Sequence, residues 1–364
     1  MRFPGFTDEW KKCTIRDIAK IEKGNGISKD QLSDEGDECI LYGELYTKYQ
    51  SEIIDEVYSK TKVDSTKLMR SQANDVLIPC SGETAEDIAT ARCVKKDGIL
   101  LGGDLNIIRF NKQDGAFMSY QLNGKRKFDI ARVAQGVSVV HLYPEHLKSI
   151  KVCIPRIEEQ QKIVILLSLI DKRIATQNKI IEDLQSLIKG LAKTLTNQGE
   201  PNTRISDCLE YHTSTLQEGT LNENGLYPVY GASGIAGFLN DYRCDKDSIL
   251  IIKDGSGAGT VSYATGKYSV IGTLNYLTAK SEYSLKYLYF CLMGFNFEPF
   301  KTGMAIPHIY FRDYGQAKIY CPSIGEQEHI AKALTIIETK LNIESLLLKS
   351  LYMEKQYLLN NMFR

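Results

Sequence analysis

Residues 150–167, IKVCIPRIEEQQKIVILL, return at 317–334 as AKIYCPSIGEQEHIAKAL, so the chain is built on a repeat. Lys151 falls on Lys318, Pro155 on Pro322, Ile157 on Ile324, Glu159-Gln160 on Glu326-Gln327 and Ile163 on Ile330, each at an offset of 167 (322 − 155). The offset reaches back to Gly136/Gly303 and His141/His308, and forward to Leu167/Leu334, Leu184/Leu351 and Leu191/Leu358. Register kept over about fifty positions marks a duplicated unit, not two Leu-rich helices that happen to look alike.

A helix follows each proline, because Pro155 and Pro322 stop the preceding segment and acidic residues then suit a helix N-terminus. Ile163, Leu167, Ile170, Ile174, Gln177, Ile181, Leu184, Ile188, Leu191 and Leu195 step alternately by four and three, as do Ile330, Leu334, Ile337, Leu341, Glu344, Leu348, Leu351, Lys355, Leu358 and Met362. Both are heptad seams. Gln177 and Glu344 interrupt them at equivalent places, which assigns these two residues to coiled-coil register. If a pseudo-two-fold axis relates the halves, the helices run antiparallel and these residues approach each other. Ile163 to Leu195 spans about 48 Å at 1.5 Å per residue, a spacer's length.

The 364 residues suffice for two or three domains. The apolar run Ile163–Ile170 ends at Asp171, far short of a membrane span, and the charged opening MRFPGFTDEWKK lacks the apolar core of a signal peptide, so a cytoplasmic protein is expected. Nine cysteines without a C-x-x-C indicate neither a disulfide framework nor a zinc ribbon, and the five histidines form no H-E-x-x-H. Lys plus Arg and Asp plus Glu balance at 45 each, whereas a nucleic-acid binder usually carries a basic excess.

Upstream of each helix lie short β-like runs and Gly or Asn turns, the pattern of a mixed α/β domain. Val76–Ile78 and Ile249–Ile252 each precede a Gly-containing turn, and Gly103-Asp-Leu-Asn106 resembles Gly272-Thr-Leu-Asn275. The expected layout is a first domain at 1–157, a helix at 158–197, a second domain at 198–324 and a helix at 325–364. Gly255-Ser-Gly-Ala-Gly259 lacks the Gly-Lys-Ser/Thr of a phosphate loop. It reads as a turn bearing Lys253 and Ser256, either an ordinary hairpin loop or a place where backbone and hydroxyl approach a phosphate or base edge. Lys125, Arg126, Lys127 and Arg132 in the first half and Lys301 in the second lie before the repeated glycine, as solvated charges or phosphate contacts. Tyr42-Gly43 and Tyr230-Gly231 are among sites where some of the 21 tyrosines adjoin glycine and could meet sugars or bases, although burial accounts for most. His141 and His308 suit a structural role better than DNA contact.

These residues resemble the specificity subunits of Type I restriction-modification systems. The resemblance runs through RFPGFTDEWKKCTIRDIAKIEKG near the start, Tyr42-Gly-Glu-Leu-Tyr-Thr47, Tyr227-Pro-Val-Tyr-Gly-Ala-Ser-Gly234 and the Pro-x-Ile-x-Glu-Gln start of both helices. It implies an α/β (α+β) chain: two mixed α/β target recognition domains separated by two long helices in an antiparallel coiled coil. It also implies a non-catalytic subunit that reads a bipartite, asymmetric site in double-stranded DNA, one domain per half-site. Two methyltransferase subunits and ATP-driven endonuclease subunits would be its partners; S-adenosylmethionine, ATP and Mg would sit on them, with no cofactor in this chain. The candidate DNA contacts are Tyr42, Gly43, Ser81, Lys125, Arg126, Lys127, Arg132, Tyr230, Gly231, Ser233, Lys253, Gly255, Ser256 and Lys301. The competing reading is a coiled-coil scaffold without DNA recognition.

Overall fold

A computed structural model describes residues 3–64, 66–136, 139–303 and 305–363. The chain divides into two compact units, Met1–Gln177 with Leu347–Arg364, and Asn178–Leu346, so each long helix contributes to both.

In the first unit, β1 (Ala19–Lys23), β2 (Val76–Pro79), β3 (Arg92–Val94) and β4 (Leu105–Phe110) form an antiparallel sheet in the order β1-β4-β2-β3. The short strand Ile53–Ile54 extends the β3 edge in parallel. All four residues of β2 are buried, and alternation sends Val76 and Ile78 to one apolar cluster and Leu77 to another, so the sheet is covered on both faces. Helix α1 (Gly115–Asn123) packs on one face and is followed by α2 (Arg126–Val133) and the long α3 (Ile157–Leu195).

The second unit repeats the plan. β5 (Leu209–Thr213), β6 (Ser248–Ile252), β7 (Val261–Ala264) and β8 (Leu274–Ala279) are ordered β5-β8-β6-β7. Ile249 and Ile251 of β6 enter one cluster and Leu250 the other. Helix α4 (Leu285–Met293) precedes the long α5 (Ile324–Met362).

Both long helices have 39 residues, and their first and last residues stand at the repeat offset of 167 (324 − 157; 362 − 195). No residue of either heptad seam is exposed. Within the first unit, Ile163 and Leu167 share a cluster with Leu359 and Met362, while Ile170 and Ile174 meet Leu351. As α3 advances, its neighbours on α5 recede, so the segments run antiparallel, as expected from the seams. In the second unit Ile188 and Ala192 share a core with Ala331 and Leu334. Gln177 and Glu344 are both buried.

Each helix starts on a glutamine clamp. Gln160 Nε2 donates to the Pro155 carbonyl at 3.0 Å and Oε1 accepts from Asp114 N–H at 2.9 Å. Gln327 does the same with the Pro322 carbonyl at 2.9 Å and Ser284 N–H at 3.0 Å. Asp114 and Ser284 are the N-caps of α1 and α4, so one buried amide ties each domain helix to its long helix.

Candidate nucleic-acid interface

Beyond β2 and β6 the chain meets the glycine loop that the repeat singled out. Gln135 and His141 pair through both backbone groups at 2.9 and 2.7 Å, and Thr302 and His308 pair at 2.8 and 2.7 Å, again at the offset of 167 (302 − 135). Gly136 and Gly303 turn these hairpins with φ of 127° and 90°. Val140–His141 pairs with Ser81–Gly82, and Leu142 N–H donates to the Cys80 carbonyl at 2.8 Å. In the second unit Ile309 N–H donates to the Lys253 carbonyl and Gly255 N–H to the Pro307 carbonyl, each at 2.9 Å.

The Gly-x-Leu-Asn segments complete both junctions. Cys80 N–H donates to the Asp104 carbonyl at 2.7 Å, and Lys253 N–H to the Thr273 carbonyl at 3.0 Å. The side chains differ on this common backbone. Asp104, itself at φ 57°, accepts from Ser81 Oγ at 3.1 Å. In the second unit Asp254 pairs with His308 Nδ1 at 2.8 Å, and Thr273 Oγ1 is buried without a hydrogen-bond partner. Val139 and Ile306, on the equivalent hairpins, are 51% and 57% exposed.

Two candidates of the second unit share a cleft here. Ser233 and Ser256 line one cleft of about 590 Å³ with Gln217, Glu218 and Thr273. Tyr230 adjoins it, its carbonyl accepting from Ile271 N–H at 2.9 Å, and Gly255 turns the cleft's wall with φ of 101°. Gly231 is buried where a Cβ would press on Ile271 and Ala236, so its role is packing. Lys253 is half-buried, and Lys301 beside the hairpin is paired with Glu298 at 2.6 Å.

The first unit is less convergent. Ser81 is buried in the junction, and Tyr42 packs against an apolar cluster beside Gly43, the N-cap of the short helix Glu44–Thr47. Lys125 and Arg132 are exposed, whereas Arg126 pairs with Asp129 at 3.0 Å. Burial, and then the Arg92 charge, hold the Lys127 ammonium below its ordinary pKa, while Asp87 and Glu86 oppose them. Of these four basic residues, Lys125 and Arg132 alone keep exposed side chains. Burial also pushes the Cys80 thiol up to about 11.

Sequence reasoning missed Asp104, Thr273, Val139 and Ile306. The Gly-x-Leu-Asn similarity and the constant offset carried their signal, but only as marks of scaffold. Among the described residues no cluster of metal-ligating side chains occurs, and no helix is long and apolar enough to cross a membrane.

The profile of the Type I restriction modification DNA specificity domain matches residues 7–186 and again 202–351. The Type I restriction enzyme MjaVIII specificity subunit of Methanocaldococcus jannaschii is 30% identical over 193 residues, which is 53% of this chain and 43% of that protein. The putative MjaX specificity subunit of the same organism is 23% identical over 398 aligned positions, covering 93% of this chain and 88% of that one. Several other curated relatives match over under half of their own length, so the chain spans less than two thirds of most relatives it resembles. The crystal structure of a Type I restriction-modification S subunit from M. genitalium superposes with a TM-score of 0.66 at 19% identity, covering 100% of this chain and 99% of that one. The likeness is one of fold.

Proposed function

The chain belongs to the Type I restriction modification DNA specificity domain family, and from that premise we propose that it is the non-catalytic subunit that chooses the DNA sequence for a methyltransferase and endonuclease complex. Each unit reads one half of a bipartite, asymmetric site, and the long helices hold the two halves at one spacing. The observation that carries this reading is the repeated junction. Matching backbone hydrogen bonds among strand end, Gly-x-Leu-Asn segment and glycine hairpin carry buried Ser81 and exposed Asp104 in one unit and Asp254, Thr273 and His308 in the other. A common frame with different donors and acceptors suits two readers of different bases.

Half-sites about one helical turn apart, ~34 Å, require modules held at fixed separation and rotation. Helices of 39 residues supply that stiffness, which a flexible linker would not. The balanced charge of the chain assigns much of the phosphate grip to partners. Along the part of α5 in the second unit, Ile336, Ile343 and Leu346 are exposed and step by seven and three, a second apolar stripe on the side away from the seam. It supports docking of two methyltransferase subunits on the helices, with endonuclease subunits joining them. S-adenosylmethionine, ATP and Mg then belong to those partners, and the assembly works in the cytoplasm.

Co-expression with a cognate methyltransferase subunit, followed by mapping of methylated adenines in host DNA, tests the reading. The expected result is one bipartite motif with two different halves and a single unread spacer. Methylation that does not depend on this chain, or a continuous motif, would overturn it.

A further inference from the structure

The first unit buries a charge cluster that the repeat does not reproduce. Lys355 Nζ on α5 lies 2.5 Å from Glu52 Oε2 and 2.6 Å from Asp171 Oδ1, with all three side chains nearly inaccessible. Tyr120 of α1 donates to the second Asp171 oxygen at 2.6 Å, and Ser51 Oγ donates to it at 3.2 Å. Burial alone would lower the Lys355 pKa, but the Glu52 and Asp171 charges outweigh it and hold the ammonium above its ordinary value.

Half of this arrangement is duplicated. Glu338 stands 167 positions after Asp171 and accepts from Tyr289 of α4 at 2.8 Å. Its cation is Lys286, 2.6 Å away on the same domain helix as that tyrosine. The position equivalent to Lys355 is Ile188, an ordinary core residue of the second unit. The second unit therefore neutralises its helix acid from within its own domain, and the first does so from the last third of α5.

The consequence lies in register. An aliphatic seam repeats every seven residues, so a slide of one heptad, about 10 Å, exchanges one aliphatic residue for another at little cost. The same slide would bring Leu348 or Met362 to the place of Lys355 and leave two buried carboxylates without their ion-pair partner, with only the Arg92 charge nearby. We propose that Lys355 is a positioning residue: with Glu52 and Asp171 it locks α5 in one register against the first domain, and so fixes where that domain meets its half of the DNA site. The second half of the statement rests on the function proposed above.

The test uses the full chain with its methyltransferase partner, read by thermal unfolding and by genome-wide adenine methylation, for wild type, K355I, K355R and the neutral triple variant E52Q/D171N/K355I. K355I is expected to unfold at lower temperature and to give methylation that is at least tenfold weaker or spread over more than one spacer length, with half-site bases unchanged. K355R keeps the single spacer. The triple variant regains most of the lost melting temperature, because no carboxylate is left bare, yet keeps the spread of spacers. A K355I or triple variant with wild-type methylation at one spacer length would overturn the proposal, and if K355I does not fold, the triple variant alone decides. Were wild type to direct no bipartite methylation, the functional reading would fail instead. Melting would then judge the lock, and equal melting of K355I and wild type would exclude it.

Discussion

Gln160 and Gln327 stand 167 positions apart and make the same two hydrogen bonds, each joining the carbonyl of the proline five residues earlier to the N-cap N–H of a domain helix. The glutamine of the repeated Glu-Gln is therefore a joint between domain and spacer. Replacing either glutamine by methionine keeps the volume but removes the partner of one carbonyl and one N–H in a buried or partly buried place, at up to about 1–3 kcal/mol for each group. Hydrogen exchange is expected to quicken around α1 for Q160M and around α4 for Q327M, each change confined to its own unit. Unchanged protection in both would contradict the joint.

Gly136 and Gly303 adopt backbone angles that side chains avoid, and an added Cβ would collide with the Val139 or Ile306 carbonyl oxygen. G136A and G303A should each cost on the order of 1–3 kcal/mol locally and deform one hairpin. Methylation is expected to lose selectivity in one half-site per variant. Full selectivity in both variants would remove the hairpins from the reading surface.

Burial of several thiols predicts a fold that loses stability in alkali. Burial raises Cys39 and Cys80 to about 11, and Cys93 and Cys291 to about 12, from an ordinary 9.0. A raised folded-state value means that the folded chain holds its protons longer than the unfolded one. The associated stability is complete below pH 9 and is lost as pH climbs through 11 to 12, at up to about 1.4 kcal/mol per pH unit for each thiol. Melting temperature should fall from pH 9 upward, and alanine at Cys39 and Cys80 should flatten that fall. A profile equally steep in the variant would assign the lability elsewhere.

How much of this was legible in the sequence depended on distance along the chain. The helices and seams were legible because a heptad repeats locally, and every seam residue found cover. The domains were read as mixed α/β without a strand order, since the order β1-β4-β2-β3 is set by pairings between distant segments. Helix α1 escaped notice because eight of its nine residues are buried, which erases the polar stripe that betrays a surface helix. Lys355 stood in the seam as a polar residue without a reason, its partner Glu52 lying 303 positions away. In the candidate site, Ser233 and Ser256 line one cleft, whereas Arg126 and Lys301 are committed to neighbouring carboxylates.

If the helices act as a ruler, their length is measured in base pairs. Removing one heptad from either helix shortens it by about 10 Å and should change the spacer or abolish activity while the half-site bases stay the same. Methylation of new half-site bases would contradict the ruler.

That each unit reads its own half-site is put to the test by exchange of residues 1–150 for the corresponding segment of a relative with another specificity. Adenine methylation mapped across the host genome should then show a motif changed in one half only, with the other half and the spacer retained. A motif altered in both halves, or in neither, would contradict it.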